Sequence, residues 1–388
     1  MQTKSKWVDT EDLEDLGSDE TENPNIHKKI KKKHNNLAKG LKEYKDSFIE
    51  NKGKFLSWMS KKKDLKKSKT GALLAKADVF DVSVRKEFKM KKAFRTDKHD
   101  SINSVVQAVD YCSQTQYYLY AGFDKKIKFV LPSDSDSKGY KALKSVYLEG
   151  LPIVNAKFAN STSVMLSYLR KKFISIYDIE KQKPVHFYKL FKTDNHDIKV
   201  NVNKANLSLI SNNKEINLFD HDKKVSIAKQ TQSNAIVDTC FINQQDFAIA
   251  YDTENIKIFD IRASLAKPKN MLNLKASLIE SNGKCMVTGN NNGIVNLIDL
   301  EDSNKVVRRF DNLTTEISSL SINRDFMAFS SKWKNNSVRL VDLRDNNVLK
   351  DWPNIKTRLG VINRILLNQD DQLACGTANG SLDVYGII

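Results

Sequence analysis

The stretch from Leu313 to Tyr385 contains the same pattern of three short strands twice. The first copy reads Ile317-Ser-Ser-Leu-Ser-Ile322, Met327-Ala-Phe-Ser330 and Ser337-Val-Arg-Leu-Val-Asp342. The second reads Val361-Ile-Asn-Arg-Ile-Leu366, Leu373-Ala-Cys-Gly376 and Leu382-Asp-Val-Tyr385, with Asn379-Gly380 before its last strand. Alternation with period two predicts strands with one buried face. An Asn-Gly pair favours the positive φ angles of a tight hairpin. The stretch therefore predicts a repeated antiparallel sheet.

The ending of the third strand recurs along the chain at a nearly constant interval of 39 to 47 residues. Such a period, with several short strands in each repeat, is typical of WD40 propellers. We therefore predict an all-β, seven-bladed WD40 β-propeller, in which an aromatic or aliphatic residue and Asp replace the usual Trp-Asp. Gly-His dipeptides are missing, so the repeats are degenerate. The equivalent positions are Val130, Tyr177, Phe219, Phe259, Ile298, Val341 and Tyr385.

The chain divides into a tail and a body. Residues 1–81 are lysine-rich and poor in strand pattern, which predicts a disordered, partly helical basic extension. Residues 82–388 form the predicted propeller. The last repeat shows only three strands, so we expect residues 82–91, which alternate apolar and polar side chains, to supply its outer strand. Closing the ring in this way removes an open sheet edge.

The net charge of +17 lies mostly between residues 28 and 98, that is, in the tail and the start of the body. Residues 1–27 carry −6, residues 28–98 carry +16, and the remaining 290 residues carry only +7. A lysine-rich segment of this kind is a solvated flexible tail, a nuclear import signal or an RNA-binding segment, and composition alone does not choose among these. Its two clusters are Lys28, Lys29, Lys31, Lys32 and Lys33, and then Lys61, Lys62 and Lys63.

Apolar side chains in the tail form short islands between the charge runs. Leu41, Tyr44 and Phe48 recur at helical spacing, and Trp58 lies in a second island. These islands are docking motifs that fold on a partner, or they pack on the body of the same chain; both readings stay open. In the acidic segment at residues 1–27, Trp7, Val8 and Asp9 have no neighbouring apolar residues to pack against, which favours insertion of the tryptophan into a partner.

The sequence carries no pattern that indicates catalysis. Its six histidines lack metal-ligand spacing, and no phosphate loop, nucleophile elbow or paired-carboxylate motif occurs. We therefore predict no enzyme activity, no cofactor and no metal site. The His196-Asp197 and His221-Asp222 pairs are expected to be turn residues. The aspartates that end several repeats are expected to form turns rather than bind metal, namely Asp178, Asp260, Asp299 and Asp342.

Compartment is indicated by the cysteines and by the hydropathy of the chain. Cys112, Cys240, Cys285 and Cys375 are far apart and lie inside predicted strands, which favours buried free thiols in a reducing compartment. No apolar run approaches the ~20 residues of a membrane-spanning helix, so no membrane association is expected.

The chain resembles the U3 small nucleolar RNA-associated protein 18 family, WD40 components of the small-subunit processome. The resemblance is densest at Leu313-Thr-Thr-Glu-Ile-Ser-Ser-Leu320 and at Leu373-Ala-Cys-Gly376. It recurs at Tyr120-Ala-Gly-Phe-Asp124 and at Ser145-Val-Tyr-Leu-Glu149. In the tail, Trp7-Val-Asp9 is similar to an acidic motif of the family.

The resemblance implies a scaffold role in nucleolar pre-rRNA processing and small ribosomal subunit biogenesis. The implied partners are other WD40 subunits of the processome, the U3 small nucleolar RNA and pre-rRNA, with a location in the nucleus and nucleolus. Some members recruit the exosome-associated helicase through a Leu-Phe-x-hydrophobic-Asp tail motif. Here Leu190-Phe-Lys-Thr-Asp194 and Leu218-Phe-Asp-His-Asp222 lack the hydrophobic residue and lie in blades, so this helicase is a doubtful partner.

Two other classes of protein remain compatible with the sequence. One is another nuclear WD40 adaptor, such as a chromatin or ubiquitin-ligase substrate receptor. The other is a propeller enzyme, since propellers also host catalytic sites. An enzyme would need a polar cluster at the mouth of the central channel, and an adaptor would lack association with small-subunit pre-rRNA.

Overall fold

The computed structural model describes residues 88–133, 138–191, 199–202, 207–221, 223–253, 255–263, 267–301, 305–354 and 357–388. The regular secondary structure of these ranges is entirely β, with 28 strands in seven four-stranded antiparallel sheets. The predicted seven-bladed WD40 β-propeller is thereby confirmed. No helix in these ranges is long and apolar enough to cross a membrane. The predicted extension, residues 1–81, lies outside the described residues, so its character stays a prediction.

The first strand of the chain belongs to the last blade, and the following strands build blades 1 to 6 in order. Blade 1 consists of β2 (Val106–Cys112), β3 (Tyr117–Gly122), β4 (Lys126–Pro132) and β5 (Tyr140–Tyr147). Blade 2 consists of β6 (Ile153–Phe158), β7 (Ser163–Tyr168), β8 (Phe173–Asp178) and β9 (Lys183–Lys189). Blade 3 consists of β10 (Lys199–Val202), β11 (Leu207–Ser211), β12 (Glu215–Asp220) and β13 (Val225–Thr231).

The second half of the ring repeats this arrangement. Blade 4 consists of β14 (Ile236–Phe241), β15 (Asp246–Tyr251), β16 (Ile256–Asp260) and β17 (Asn270–Leu272). Blade 5 consists of β18 (Leu278–Ser281), β19 (Cys285–Gly289), β20 (Val295–Asp299) and β21 (Lys305–Phe310). Blade 6 consists of β22 (Ser319–Ile322), β23 (Phe326–Ser330), β24 (Val338–Asp342) and β25 (Asn347–Val348). Blade 7 consists of β26 (Ile362–Leu367), β27 (Gln372–Thr377), β28 (Leu382–Ile387) and β1 (Met90–Arg95).

The first strand of each blade lies at the centre of the ring. Strand β2 contacts both β6 and β26, and the remaining inner strands contact one another in order around the ring. The third strands β4, β8, β12, β16, β20, β24 and β28 coincide with the repeat endings predicted from sequence. The hairpin predicted at Gly380 is also present, with φ of +83° and an amide N–H bonded to Thr377. A Cβ at Gly380 would lie 1.9 Å from the carbonyl oxygen of Ile102, so the connection into blade 1 requires glycine there.

The hydrophobic core lies between the blades, in seven clusters that each join two neighbouring sheets. Strand β23 shows the consequence, because all five of its residues are buried. Met327 and Phe329 pack against blade 5, whereas Phe326 and Ala328 pack against blade 7. The expectation that each strand has one buried face is therefore wrong for the middle strands. A sheet covered on both sides buries every residue of its central strands.

Strand β1 completes blade 7 by pairing antiparallel with β28, with Met90 opposite Ile387 and Arg95 opposite Asp383. Phe94 is buried and packs against the rings of Tyr118 and Tyr140 in blade 1. The closing strand was predicted at residues 82–91, but its pairing is found at Met90–Arg95, preceded by two backbone hydrogen bonds between Lys89 and Ile388. Alternation alone did not fix the register, which follows from the burial of Phe94. Residues 82–87 lie outside the described residues.

An ion pair secures the end of this closing strand. The Arg95 guanidinium donates through two nitrogens to the Asp383 carboxylate, which is fully buried, and also to the carbonyl oxygen of Arg358 at 2.8 Å. A buried carboxylate that loses its cation is strongly destabilising. Because the guanidinium is 38% exposed, part of this effect is screened by water.

We expect Arg95→Ala to lower the free energy of unfolding by about 2–3 kcal/mol, because it leaves the buried Asp383 carboxylate of blade 7 without its cation. Urea unfolding of the full chain measures this change. Lys91→Ala is the matched control, since Lys91 is exposed in the same strand and its loss should change stability by less than ~0.5 kcal/mol. Equal unfolding midpoints for the two variants would show that the ion pair does not hold the ring closed.

Candidate functional site

The tail residues singled out by the sequence lie outside the described residues. They are the docking candidates Trp7, Val8, Asp9, Leu41, Tyr44, Phe48 and Trp58, and the basic candidates Lys28, Lys29, Lys31, Lys32, Lys33, Lys61, Lys62 and Lys63. Their roles therefore stay predictions. The described part of the chain offers a different candidate site, namely the channel at the centre of the ring.

The channel has a volume of about 750 Å³ and is lined by the inner strands and by the connections between blades. Every blade contributes a polar side chain to its wall. From blade 1 to blade 7, these side chains are Gln107, Asn155, Asn201, Asp238, Glu280, Ser319 and Arg364. The polar cluster that a propeller enzyme would need is therefore present, and its contacts decide how it is used.

Four of the inner strands carry a register irregularity near their start. In β2, β6, β14 and β26 the pairing with the second strand of the blade skips one residue. A bulge of this kind turns the following side chains in a new direction. In β14 and β26 the residue after the skip, Asp238 or Arg364, contacts the inner strand of the following blade. The skipped residues are Gln107, Val154, Val237 and Asn363.

Two aspartates of the inner strands bind the backbone of the following blade. Asp110 of blade 1 accepts a hydrogen bond from the Phe158 amide at 2.7 Å and pairs with the Lys157 ammonium at 3.3 Å. Asp238 of blade 4 accepts a hydrogen bond from the Ile279 amide at 2.9 Å. Burial opposes the charge of Lys157, but Asp110 and Glu280 outweigh it and raise the pKa of its ammonium. Both carboxylates thus join neighbouring blades.

Arg364 of blade 7 connects three consecutive blades. Its Nε donates to the Gln107 carbonyl oxygen of blade 1 at 2.9 Å, and Nη1 donates to the Ser318 carbonyl oxygen before blade 6 at 3.1 Å. Burial lowers the pKa of this guanidinium, and the charge of Asp238 opposes that effect. The guanidinium still remains charged at neutral pH, because arginine titrates far above it.

Glu280 is the unusual member of this cluster. Burial raises the pKa of its carboxyl group to about 7; Lys157 lowers it, and the like charges of Asp238 and Asp110 raise it. The carboxyl group is therefore partly protonated near neutral pH in the folded protein. A group of this kind transfers protons in enzymes, but here its neighbours are structural charges rather than a nucleophile. Among the described residues, no group of three or more His, Cys, Asp or Glu side chains could hold a metal ion.

The raised pKa of Glu280 makes a testable contribution to stability. The folded state binds more protons than the unfolded chain between pH ~4.5 and ~7, so this contribution to stability falls as the pH rises through that range. We expect Glu280→Gln, which resembles the protonated side chain, to gain stability relative to wild type on going from pH 5 to pH 8. The relative gain should be on the order of 1–3 kcal/mol.

Urea unfolding of the full chain at the two pH values measures this difference. Glu301→Gln serves as the control, because Glu301 is exposed and should show no such change. A wild-type to Glu280→Gln difference that stays constant with pH would show that Glu280 ionises normally in the channel.

Of the histidines in the two His-Asp pairs, only His221 lies among the described residues, and it does not line the channel. His221 is buried, and its Nε2 lies 2.5 Å from the Ser208 hydroxyl in the same blade. Asp222, His196 and Asp197 lie outside the described residues. The repeat-ending aspartates accept backbone amides in their own turns, as predicted: Asp178 from Glu180 and Lys181, Asp260 from Arg262, Asp299 from Glu301, and Asp342 from Arg344.

A recurring asparagine that follows the first strand was missed by the sequence analysis. Asn282, Asn323 and Asn368 each accept two amides of their own turn through Oδ1. Their Nδ2 groups point onward around the ring, from Asn282 to the carbonyl oxygen of Asn323 at 2.8 Å and from Asn323 to that of Asn368 at 3.0 Å. The detectable signal was an asparagine at one position of the repeat, also present as Asn160 and Asn243.

These contacts define the class of the protein. It is a seven-bladed β-propeller of the WD40 type, in which polar side chains of the inner strands and of the turns bind neighbouring blades. The four cysteines are free, and Cys112, Cys240 and Cys375 are buried, as expected from their positions in strands. Cys285 is only partly buried, so the expectation of a buried thiol is wrong there.

Comparison with known proteins gives the particular relatives. The chain is similar to the U3 small nucleolar RNA-associated protein 18 homolog of Arabidopsis thaliana, with 24% identity over 268 residues, covering 66% of this chain and 48% of the relative. It is also similar to the probable U3 small nucleolar RNA-associated protein 18 of Schizosaccharomyces pombe, with 22% identity over 285 residues, covering 69% and 54%. The resemblance to this family is confirmed. The chain spans about half the length of these relatives. No family model matches it.

Proposed function

We propose that the chain is a non-catalytic WD40 scaffold subunit of the small-subunit processome, acting in nucleolar pre-rRNA processing. The observation that carries this proposal is the similarity to two proteins named for association with U3 small nucleolar RNA, extending over two thirds of the chain. The inner strands support a scaffold rather than an enzyme, because the charged groups of Asp110, Asp238 and Arg364 form hydrogen bonds to neighbouring blades. Other WD40 subunits, U3 RNA and pre-rRNA are the proposed partners.

Affinity purification of the chain, with sequencing of the RNA that accompanies it, tests this function. We expect U3 RNA and small-subunit pre-rRNA to be enriched and to remain bound in a salt wash. The control is the same purification of a chain carrying Arg364→Ala, in which the ring is weakened. Recovery of chromatin proteins or ubiquitin-ligase subunits without pre-rRNA would instead identify the chain as another nuclear adaptor.

The basic tail is proposed to supply the electrostatic part of RNA association or the signal for nuclear entry. Most of the net charge lies between residues 28 and 98, and lysine contacts with phosphates release counterions. Trp7, Val8 and Asp9 are proposed to dock on a neighbouring subunit. The apolar residues Leu41, Tyr44, Phe48 and Trp58 are proposed as further docking positions.

Charge reversal tests the role of the tail. We expect replacement of the first lysine cluster by glutamate to weaken RNA binding in a strongly salt-dependent manner, or to reduce nuclear entry. Anisotropy with labelled RNA and microscopy measure the two effects. The substituted residues are Lys28, Lys29, Lys31, Lys32 and Lys33.

The matched control reverses five exposed lysines spread over the propeller. These lysines are scattered over several blades, so their loss should have a smaller effect than loss of the contiguous cluster. An equal loss from both sets would refute a specific role of the tail. The control residues are Lys141, Lys171, Lys183, Lys305 and Lys350.

A further inference from the structure

The loop between β23 and β24 of blade 6 presents a tryptophan to solvent. Trp333 is 61% exposed, although burial of an indole is strongly favourable. Its neighbours Lys332, Lys334 and Asn335 are exposed as well. In contrast, Trp352 is buried against Tyr385 at the seam between blades 6 and 7. The exposure of Trp333 therefore needs an explanation beyond folding.

Side-chain contacts tie this loop to residues 314–316, in the connection between blades 5 and 6. The Ser331 hydroxyl lies 2.7 Å from the Thr315 hydroxyl, and the Lys334 ammonium donates to the Thr314 hydroxyl at 3.0 Å. The indole N–H of Trp333 donates to the Glu316 carboxylate at 3.0 Å. Two contacts thus fix the loop, and the contact with Glu316 orients the ring outside the core. A ring fixed in advance loses little entropy when a ligand binds to it.

Positive charge stands directly beside the ring. The Lys332 ammonium lies 5.2 Å from the centre of the Trp333 ring, and Lys334 directly follows Trp333 in the sequence. Lys332 also lines the mouth of the central channel together with Asn290, Asn291 and Asn292. The surface around the ring therefore offers ammonium groups, amides and the Glu316 carboxylate that accepts the indole N–H, and its apolar residues Leu313 and Ile317 are buried.

This combination favours one kind of ligand. A tryptophan that anchors a protein partner usually lies in an apolar, well-packed patch, and none surrounds Trp333. Proteins that bind single-stranded nucleic acid stack bases on exposed aromatic rings and bind the adjacent phosphates with cations. Trp333 with Lys332 and Lys334 offers both groups on one short loop.

We propose that Trp333, with Lys332 and Lys334, is a stacking platform for one base of a single-stranded RNA segment on the propeller. This inference rests on the proposed function, since it names the form of RNA that the scaffold contacts. It assigns the propeller a stacking contact of Trp333 that does not depend on net charge, in addition to the salt-dependent contacts of Lys332, Lys334 and the tail.

The test uses anisotropy of a fluorescein-labelled 12-nucleotide single-stranded oligouridylate with the full chain, over a range of salt concentrations. We expect Trp333→Ala to weaken binding about tenfold at every salt concentration, because loss of a neutral ring releases no counterions. Lys332→Ala and Lys334→Ala should instead lower the slope of log Kd against log salt by about 0.7 each. Trp333→Phe should keep most of the affinity.

Tyr147→Ala is the matched control. Tyr147 is 57% exposed, and its ring has the Lys125 ammonium 5.9 Å from its centre, but it lies on the outer strand of blade 1. Its loss should leave the affinity unchanged. A blunt-ended RNA duplex provides a second control, because its bases are already stacked and should not respond to Trp333→Ala.

Wild-type affinity of Trp333→Ala, an equal loss on duplex RNA, or absence of oligouridylate binding by the full chain would overturn the inference. Loss of a protein partner from purified particles with unchanged RNA affinity would also overturn it and would identify Trp333 as a protein contact. The proposed function fails separately, if the wild-type chain does not purify with small-subunit pre-rRNA while the effect of Trp333→Ala on oligouridylate remains.

Discussion

Burial of both faces of every sheet is the constraint on which this structure depends. A blade such as blade 6 places Met327 and Phe329 against one neighbour and Phe326 and Ala328 against the other, so it cannot complete its core alone. Seven clusters between seven sheets require a closed ring, because an open array would expose two complete sheet faces. Strand β1 is the part that makes closure possible, since it covers the edge of β28 and delivers Phe94 to the seam with blade 1.

The same constraint explains the polar wall of the channel. Inner strands of neighbouring blades belong to separate sheets, so side chains satisfy backbone groups that face the gap between them. Asp110, Asp238 and Arg364 do this on the inner strands, and Asn323 does it in the turns. The cluster that resembles a reactive site is thus an extension of the packing between blades. In this cluster, the negative charge of Glu280 is disfavoured, because burial and two nearby carboxylates raise the pKa of its carboxyl group.

The third strands and their aspartate turns could be predicted because each repeats the same local chemistry, as in Ile256–Asp260. The register of β1 could not be predicted from the sequence, because Lys91 and Lys92 are polar. It is selected by contacts with distant residues, namely Phe94 with Tyr118 and Arg95 with Asp383. Bulges of the inner strands and the contacts of Arg364 also escaped prediction, since they depend on residues of three blades at once. Trp333 gave no signal in sequence, where an isolated tryptophan usually indicates core.

Closure of the ring has a consequence for synthesis of the protein on the ribosome. Arg95 and Asp383 are 288 residues apart, so at ~5–20 residues per second β28 is synthesised roughly 15–60 s after β1. During that interval β1 has an unpaired edge and an exposed Phe94, which is the condition under which strands pair with the wrong chain. Lys91 and Lys92 next to it place like charges along that edge and disfavour such pairing. The basic character of this strand therefore protects the nascent chain as well as the finished ring.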